Sequence, residues 1–183
     1  MKKEATSVSN TDSLKVAELL TLGDQETDTL VKADYYRQAL LLSEQLQFEY
    51  GIFNSYYKSA LWKRKQYNAD SSIVWLKKGI NEFPETSSFH QYLLIYLGDE
   101  FKKQSITDSA IYYSNKEVQL AIKYKNKKMV IHGYKALGNI YLQIYEHDKA
   151  FLYYAKGDSV CKTEDVFNIS KTHAEVYIYM GYA

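Results

Sequence analysis

A chain of 183 residues has room for one domain or one continuous stack of small repeats, and with 46% hydrophobic residues it can bury a sizeable core. Its 23 Lys and Arg against 22 Asp and Glu leave a net charge of +1, so no general field draws a nucleic-acid backbone to it. The single cysteine, Cys161, excludes an internal disulfide and every multi-cysteine metal pattern, and the single proline, Pro84, leaves room for long unbroken helices.

The chain opens with a polar segment, residues 1–12, which is expected to be disordered. Met1-Lys2-Lys3 has the charge of a secretory leader, but no apolar run of leader length follows. A first, degenerate helix is predicted over Ser13 to Leu22. A second is read over Lys32 to Ala39, where apolar and small residues begin to fall at helical spacing.

From there the sequence repeats itself. Leu97-Gly98 stands three residues before Phe101, and Leu137-Gly138 stands three before Tyr141, a shift of 40. Asp108-Ser109-Ala110 lies over Asp148-Lys149-Ala150 by the same shift, and Asp70-Ser71-Ser72 falls on that segment at a shift of 38, with Ala60 under Gly98. Repetition at such a period is the mark of stacked supersecondary units. Within a unit, Tyr134, Gly138, Tyr141 and Tyr145 step by 4, 3 and 4, which places them on one helix face. Ala150, Tyr154 and Gly157 do the same on the next helix. Each unit is therefore two amphipathic helices, A then B, predicted to begin at Asp70-Ser71, Thr86-Ser87, Thr107-Asp108 and His147-Asp148. The small residues Ala60, Gly98 and Gly138 on A, and Ser72, Ala110 and Ala150 on B, mark points where helix backbones are expected to come closest. Residues 166–183 read as one more A helix, and its apolar residues Val176, Ile178, Tyr179 and Met180 make a poor cap for a stack. The chain is expected to be a fragment of a longer protein.

Tyr134, Leu137, Gly138, Tyr141, Ala150, Tyr154 and Gly157 together resemble the tetratricopeptide repeat. Pro84 stands where that family places its terminating proline. The resemblance covers residues 27 to 183, and it departs from the family in a period of 38 to 40 where about 34 is usual. It implies an all-α fold, an α-α superhelix of about four helix pairs plus a final unpaired helix over 13–183. It also implies a non-enzymatic module that binds a protein or peptide in a concave groove lined by the A helices. The Asp-x-Ala-x-x-Tyr-Tyr opening of helix B is similar to repeat arrays in bacterial regulatory proteins, as a sensing or scaffold part. The alternative is a self-association element in which the last helix pairs with its counterpart, giving a homodimer.

On this reading the groove is lined by Tyr57, Leu61 and Arg64 in one copy, Ile95, Asp99 and Lys102 in the next, and His132, Lys135, Asn139 and Leu142 in the third. Aromatic, Arg and Lys mixtures suit partner anchors. Lys135 and Asn139 also resemble the first half of the carboxylate clamp of some family members, although Ile95 with Asp99 and Lys171 with Glu175 do not complete it. The four histidines lack metal-ligand spacing, and Gly133-x4-Gly138 lacks the Lys-Ser/Thr that would make it a phosphate loop. No catalytic residue, metal or cofactor is expected, nor nucleic acid or membrane insertion, and the cytoplasm is preferred to the periplasm.

Overall fold

The computed structural model describes residues 10–66 and 68–162. All regular structure among them is helical. In chain order the helices are α1 (Asn10–Gln25), α2 (Thr29–Gln45), α3 (Glu49–Lys65), α4 (Ala69–Glu82), α5 (Ser88–Lys103), α6 (Thr107–Lys123), α7 (Lys127–Gln143) and α8 (His147–Lys162). The degenerate first helix is thus real and longer than predicted. The expected ninth helix, and the polar start before Asn10, lie outside the described residues. Two compact units divide the chain, one up to Gly79 and one from Ile80, with the boundary inside α4.

A single turn design explains the period. After α2, α5, α6 and α7 one residue caps the helix, the next takes a left-handed φ, and the third starts the following helix. The left-handed residues are Gln47 (53°), Ser105 (59°), Lys125 (56°) and Tyr145 (62°). Ile106 N–H donates to the Phe101 carbonyl at 3.0 Å and Ser105 N–H to Lys102 at 3.0 Å, and the pattern recurs as Asn126 to Ala121 at 2.8 Å and Glu146 to Tyr141 at 2.9 Å. These paired bonds satisfy the last carbonyls of each helix, as in a Schellman motif. Helices of 17 residues, α6 and α7, joined by three-residue turns give 20 residues per helix and 40 per pair.

The same turn corrects two expectations. Tyr145 is no part of the α7 face. It sits in the turn, 82% exposed. Thr107-Asp108 does not supply the N-cap of α6: Ile106 occupies it and makes no side-chain bond. Asp70, Asp108 and Asp148 instead stand in first turns, where a carboxylate favours the helix dipole. Side-chain caps are supplied by Asp28 to Leu30 and Val31 N–H, by Asn68 to Ser71 N–H and by Ser87 to Phe89 N–H. Asn126 does the same for Met129 N–H.

In the first unit Val16, Leu20, Tyr36 and Ala39 form the core, with Leu42, Phe48 and Trp62 packed on it. Ser43 and Ser55 are buried but satisfied, donating to Ala39 O at 2.6 Å and Gly51 O at 2.8 Å. In the second unit Leu93, Leu94, Leu97, Ala110, Ala121 and Leu137 are wholly buried. A Cβ on Gly98 would meet Ser114 Oγ at 2.9 Å and the Ala110 carbonyl at 3.6 Å, so two backbones do approach there. At Gly138 the space is filled differently: the Tyr154 ring, not a backbone, lies 2.4 Å from where a Cβ would stand. His90 closes the end of α4 by donating from Nδ1 to the carbonyls of Ile80 and Phe83 at 3.1 and 3.0 Å.

Candidate partner-binding concavities

Short connections make successive helices neighbours, and in both units this brings an A helix, its B helix and the next A helix around one hollow. In the second unit the hollow is a cavity of about 180 Å³. Helix α5 contributes Ile95, Tyr96, Asp99 and Lys102, α6 contributes Ser114, and α7 contributes His132, Lys135, Ala136, Asn139 and Ile140. Asp99 is paired with Lys102 at 2.8 Å and also with Lys103. Burial pushes the Asp99 carboxyl up, but the two ammonium groups outweigh it and the net shift is downward. Burial lowers the His132 pKa, and Lys128 and Lys135 reinforce the shift, so its imidazole is neutral at pH 7. Asn139 has its side-chain oxygen committed to Tyr154 Oη–H at 2.7 Å, so the amide nitrogen is its remaining hydrogen-bonding end. Gln143 Nε2 donates to the Lys102 carbonyl at 3.3 Å, tying α7 to α5. Of the charged side chains lining the hollow two are cations, Lys102 and Lys135, and one is an anion, Asp99, so the wall is net cationic.

In the first unit the hollow measures about 350 Å³. It is walled by Asp24 of α1, Lys32 and Tyr36 of α2, and Asn54, Tyr57, Lys58, Leu61, Trp62 and Lys65 of α3. Asp24 is the link among the three helices. Tyr36 Oη–H donates to it at 2.9 Å, Lys58 of α3 forms an ion pair with it, and Lys32 Nζ donates to its carbonyl at 3.4 Å. Burial and the Asp24 carboxylate both push the Tyr36 hydroxyl pKa far up, so it stays a donor. Tyr36 also meets Trp62 edge-on, with ring centroids 6.4 Å apart.

The sequence-predicted site residues fall as follows. Ile95, Asp99, Lys102, His132, Lys135 and Asn139 share the hollow of the second unit, and Tyr57 and Leu61 that of the first. Arg64 and Leu142 line neither. Leu142 packs instead on the Ala150–Tyr154 cluster, because α8 follows α7 so closely that it covers the last turn. Several wall residues were missed. Asn54 was recoverable, since two repeat shifts carry His132 onto it, and Lys58, Tyr96 and Ala136 share one register position. Ser114, Lys32 and Tyr36 come from B helices, which the groove reading left out.

Among the described residues no group of three His, Cys, Asp or Glu is placed to hold a metal ion. No helix among them is long and apolar enough to cross a membrane. Cys161 is buried, and burial followed by Asp158 pushes its thiol pKa up, away from the reactive thiolate.

No family model matches the chain, and no curated protein matches it in sequence. Among solved structures, the crystal structure of BtubC (BKLC) from P. vanneervenii is similar, with a TM-score of 0.61 at 16% identity, covering 99% of this chain and 86% of that one. At that identity the likeness is one of fold: the described residues form an all-helical fold of neighbouring packed helices, and the chain is similar in fold to BtubC.

Proposed function

We propose that the chain is a repeat array of tetratricopeptide type that binds a segment of a partner protein along the A-helix faces, serving as a sensing or scaffold part of a larger regulator. The observation that carries this reading is the shared construction of the two hollows. Each is walled by an A helix, its B helix and the following A helix, and each uses the register positions Tyr57/Ile95/Lys135 and Leu61/Asp99/Asn139. A side chain entering the second hollow meets the apolar surfaces of Ile95, Ala136 and Ile140 beside the cations Lys102 and Lys135. That combination favours a segment presenting an acidic group next to an aliphatic or aromatic one.

A peptide-display selection against the purified chain tests the reading. Selected peptides are expected to be enriched in Asp or Glu beside an apolar residue, and to lose affinity about 10-fold or more on Lys135→Glu, which reverses one wall charge. Peptides that bind the Lys135→Glu variant equally well would sink it. The alternative, self-association through residues 166–183, concerns a segment outside the described residues; a tight dimer dissolved by Ile178→Asp would favour it instead.

A further inference from the structure

Among the described residues of the second unit, the least satisfied polar group is the side chain of Glu117. It is 0% exposed on α6, and neither carboxyl oxygen has a hydrogen-bond partner. It occupies the space a side chain would take on α7: a Cβ on Gly133 would stand 1.9 Å from Oε2 and 3.1 Å from Cδ of Glu117. Glycine at 133 is what admits the carboxyl to the seam between α6 and α7. One turn along, Ala121 of α6 and Met129 and Val130 of α7 cluster against Tyr92 and Ile95 of α5 and Tyr134 of α7. The titratable side chains flanking Gly133 on α7 are His132 and Tyr134, and α5 brings Tyr92 to the cluster one turn along. None of them, and no lysine, offsets the burial, which alone pushes the Glu117 pKa up to about 8.

The seam also builds the hollow. Ser114, one turn before Glu117 on α6, lines it, and so do His132, Lys135 and Ala136, which flank Gly133 on α7.

We infer that Glu117 is a proton-controlled latch on the α6–α7 seam: protonated, its carboxyl lets the helices close on Gly133, and ionised, it loosens them and reshapes the second hollow. A buried carboxylic acid is tolerable when neutral, whereas an unpaired buried carboxylate is costly enough to draw in water or part the helices. As a regulator of partner binding the latch rests on the functional reading above, but the latch itself needs no ligand to be tested. The sign follows from linkage. Between its ordinary value of 4.5 and about 8, Glu117 holds its proton in the folded chain and releases it in the unfolded one. Stability from this group therefore falls as pH rises through that window and levels off above it.

The test compares wild type with Glu117→Gln, and with Glu117→Met in case the amide is not accommodated. Urea unfolding is measured from pH 5.5 to 8.5, and the methyl resonances of Ala136 and Ile140 are followed from pH 7 to 8.5, with the variant as the control for any change that comes from His132. The wild-type unfolding constant is expected to rise relative to the variant's by about 10-fold per pH unit between pH 6 and 7.5. The wild-type methyl signals are expected to move with pH and those of the variant to stay. Parallel unfolding profiles would overturn the latch. So would methyl signals that are still in both proteins or move alike in both, since the hollow would then be indifferent to Glu117. Loss of Lys135-dependent peptide binding at every pH would contradict the functional reading alone.

Discussion

A methyl group on Gly138 would collide with Cε1, Cδ1 and Cζ of Tyr154 at 2.4, 2.6 and 2.9 Å, and that ring is 1% exposed. It cannot swing away without breaking its bond to Asn139 and moving a wall of the hollow. Gly138→Ala should therefore destabilise the chain by about 1 to 3 kcal/mol through overpacking, read as a shift of the urea midpoint; an unchanged midpoint would contradict the packing. The recurrence of small residues at this register was legible in the sequence, but what fills the space was not. At Gly98 it is the Ala110 backbone and Ser114, whereas at Gly138 it is an aromatic ring, because a glycine shows only that room is needed. Glu117 gave no signal at all: charged residues on predicted helices read as solvated, and only the opposing Gly133 reveals otherwise. The tyrosines behave similarly. Tyr154 follows the repeat register, while Tyr153, one residue off it, stacks on Tyr141 at 5.3 Å between ring centroids.

Between the helices, the four left-handed turns use Gln, Ser, Lys and Tyr where glycine is the usual choice. A non-glycine residue in that conformation costs about 1 kcal/mol, partly offset by the extra freedom glycine would bring to the unfolded chain. Ser105 is exposed, so Ser105→Gly should stabilise by about 0.5 kcal/mol, seen as a small rise in melting temperature. A fall would mean that the serine side chain supports the turn. These turns explain why helix starts were readable to within a residue or so while the way they are capped was not. The sequence carries aspartates where caps were expected, yet the chain enters α6 directly from the turn through Ile106. Three-residue turns with no Gly at the left-handed position leave little compositional trace, and the even period they produce is visible mainly as the spacing of 40.

Taken as a whole, the molecule repeats one construction in two units, each with its own hollow and its own chemistry. The first hollow has its polar links centred on Asp24, and the second is apolar with a cationic edge. Removing the central link should be felt across three helices at once. Asp24→Ala leaves the Tyr36 hydroxyl and Lys58 without their acceptor, and about 1 to 3 kcal/mol of stability should be lost. A loss under about 0.3 kcal/mol by urea unfolding would show that water replaces the carboxylate. Eight of the ten A-helix residues named from the sequence line one hollow or the other, since helical spacing alone fixes which side chains share a face. The B-helix share of each wall escaped because it depends on how far one helix stands from the next. The central claim is that these hollows receive a partner segment. Its most direct test is a chemical-shift map of the chain with a display-selected peptide bound. The account predicts shifts concentrated at Ile95, Lys135, Ala136, Asn139 and Ile140; shifts confined to outward residues such as Val74 and Tyr112 would contradict it.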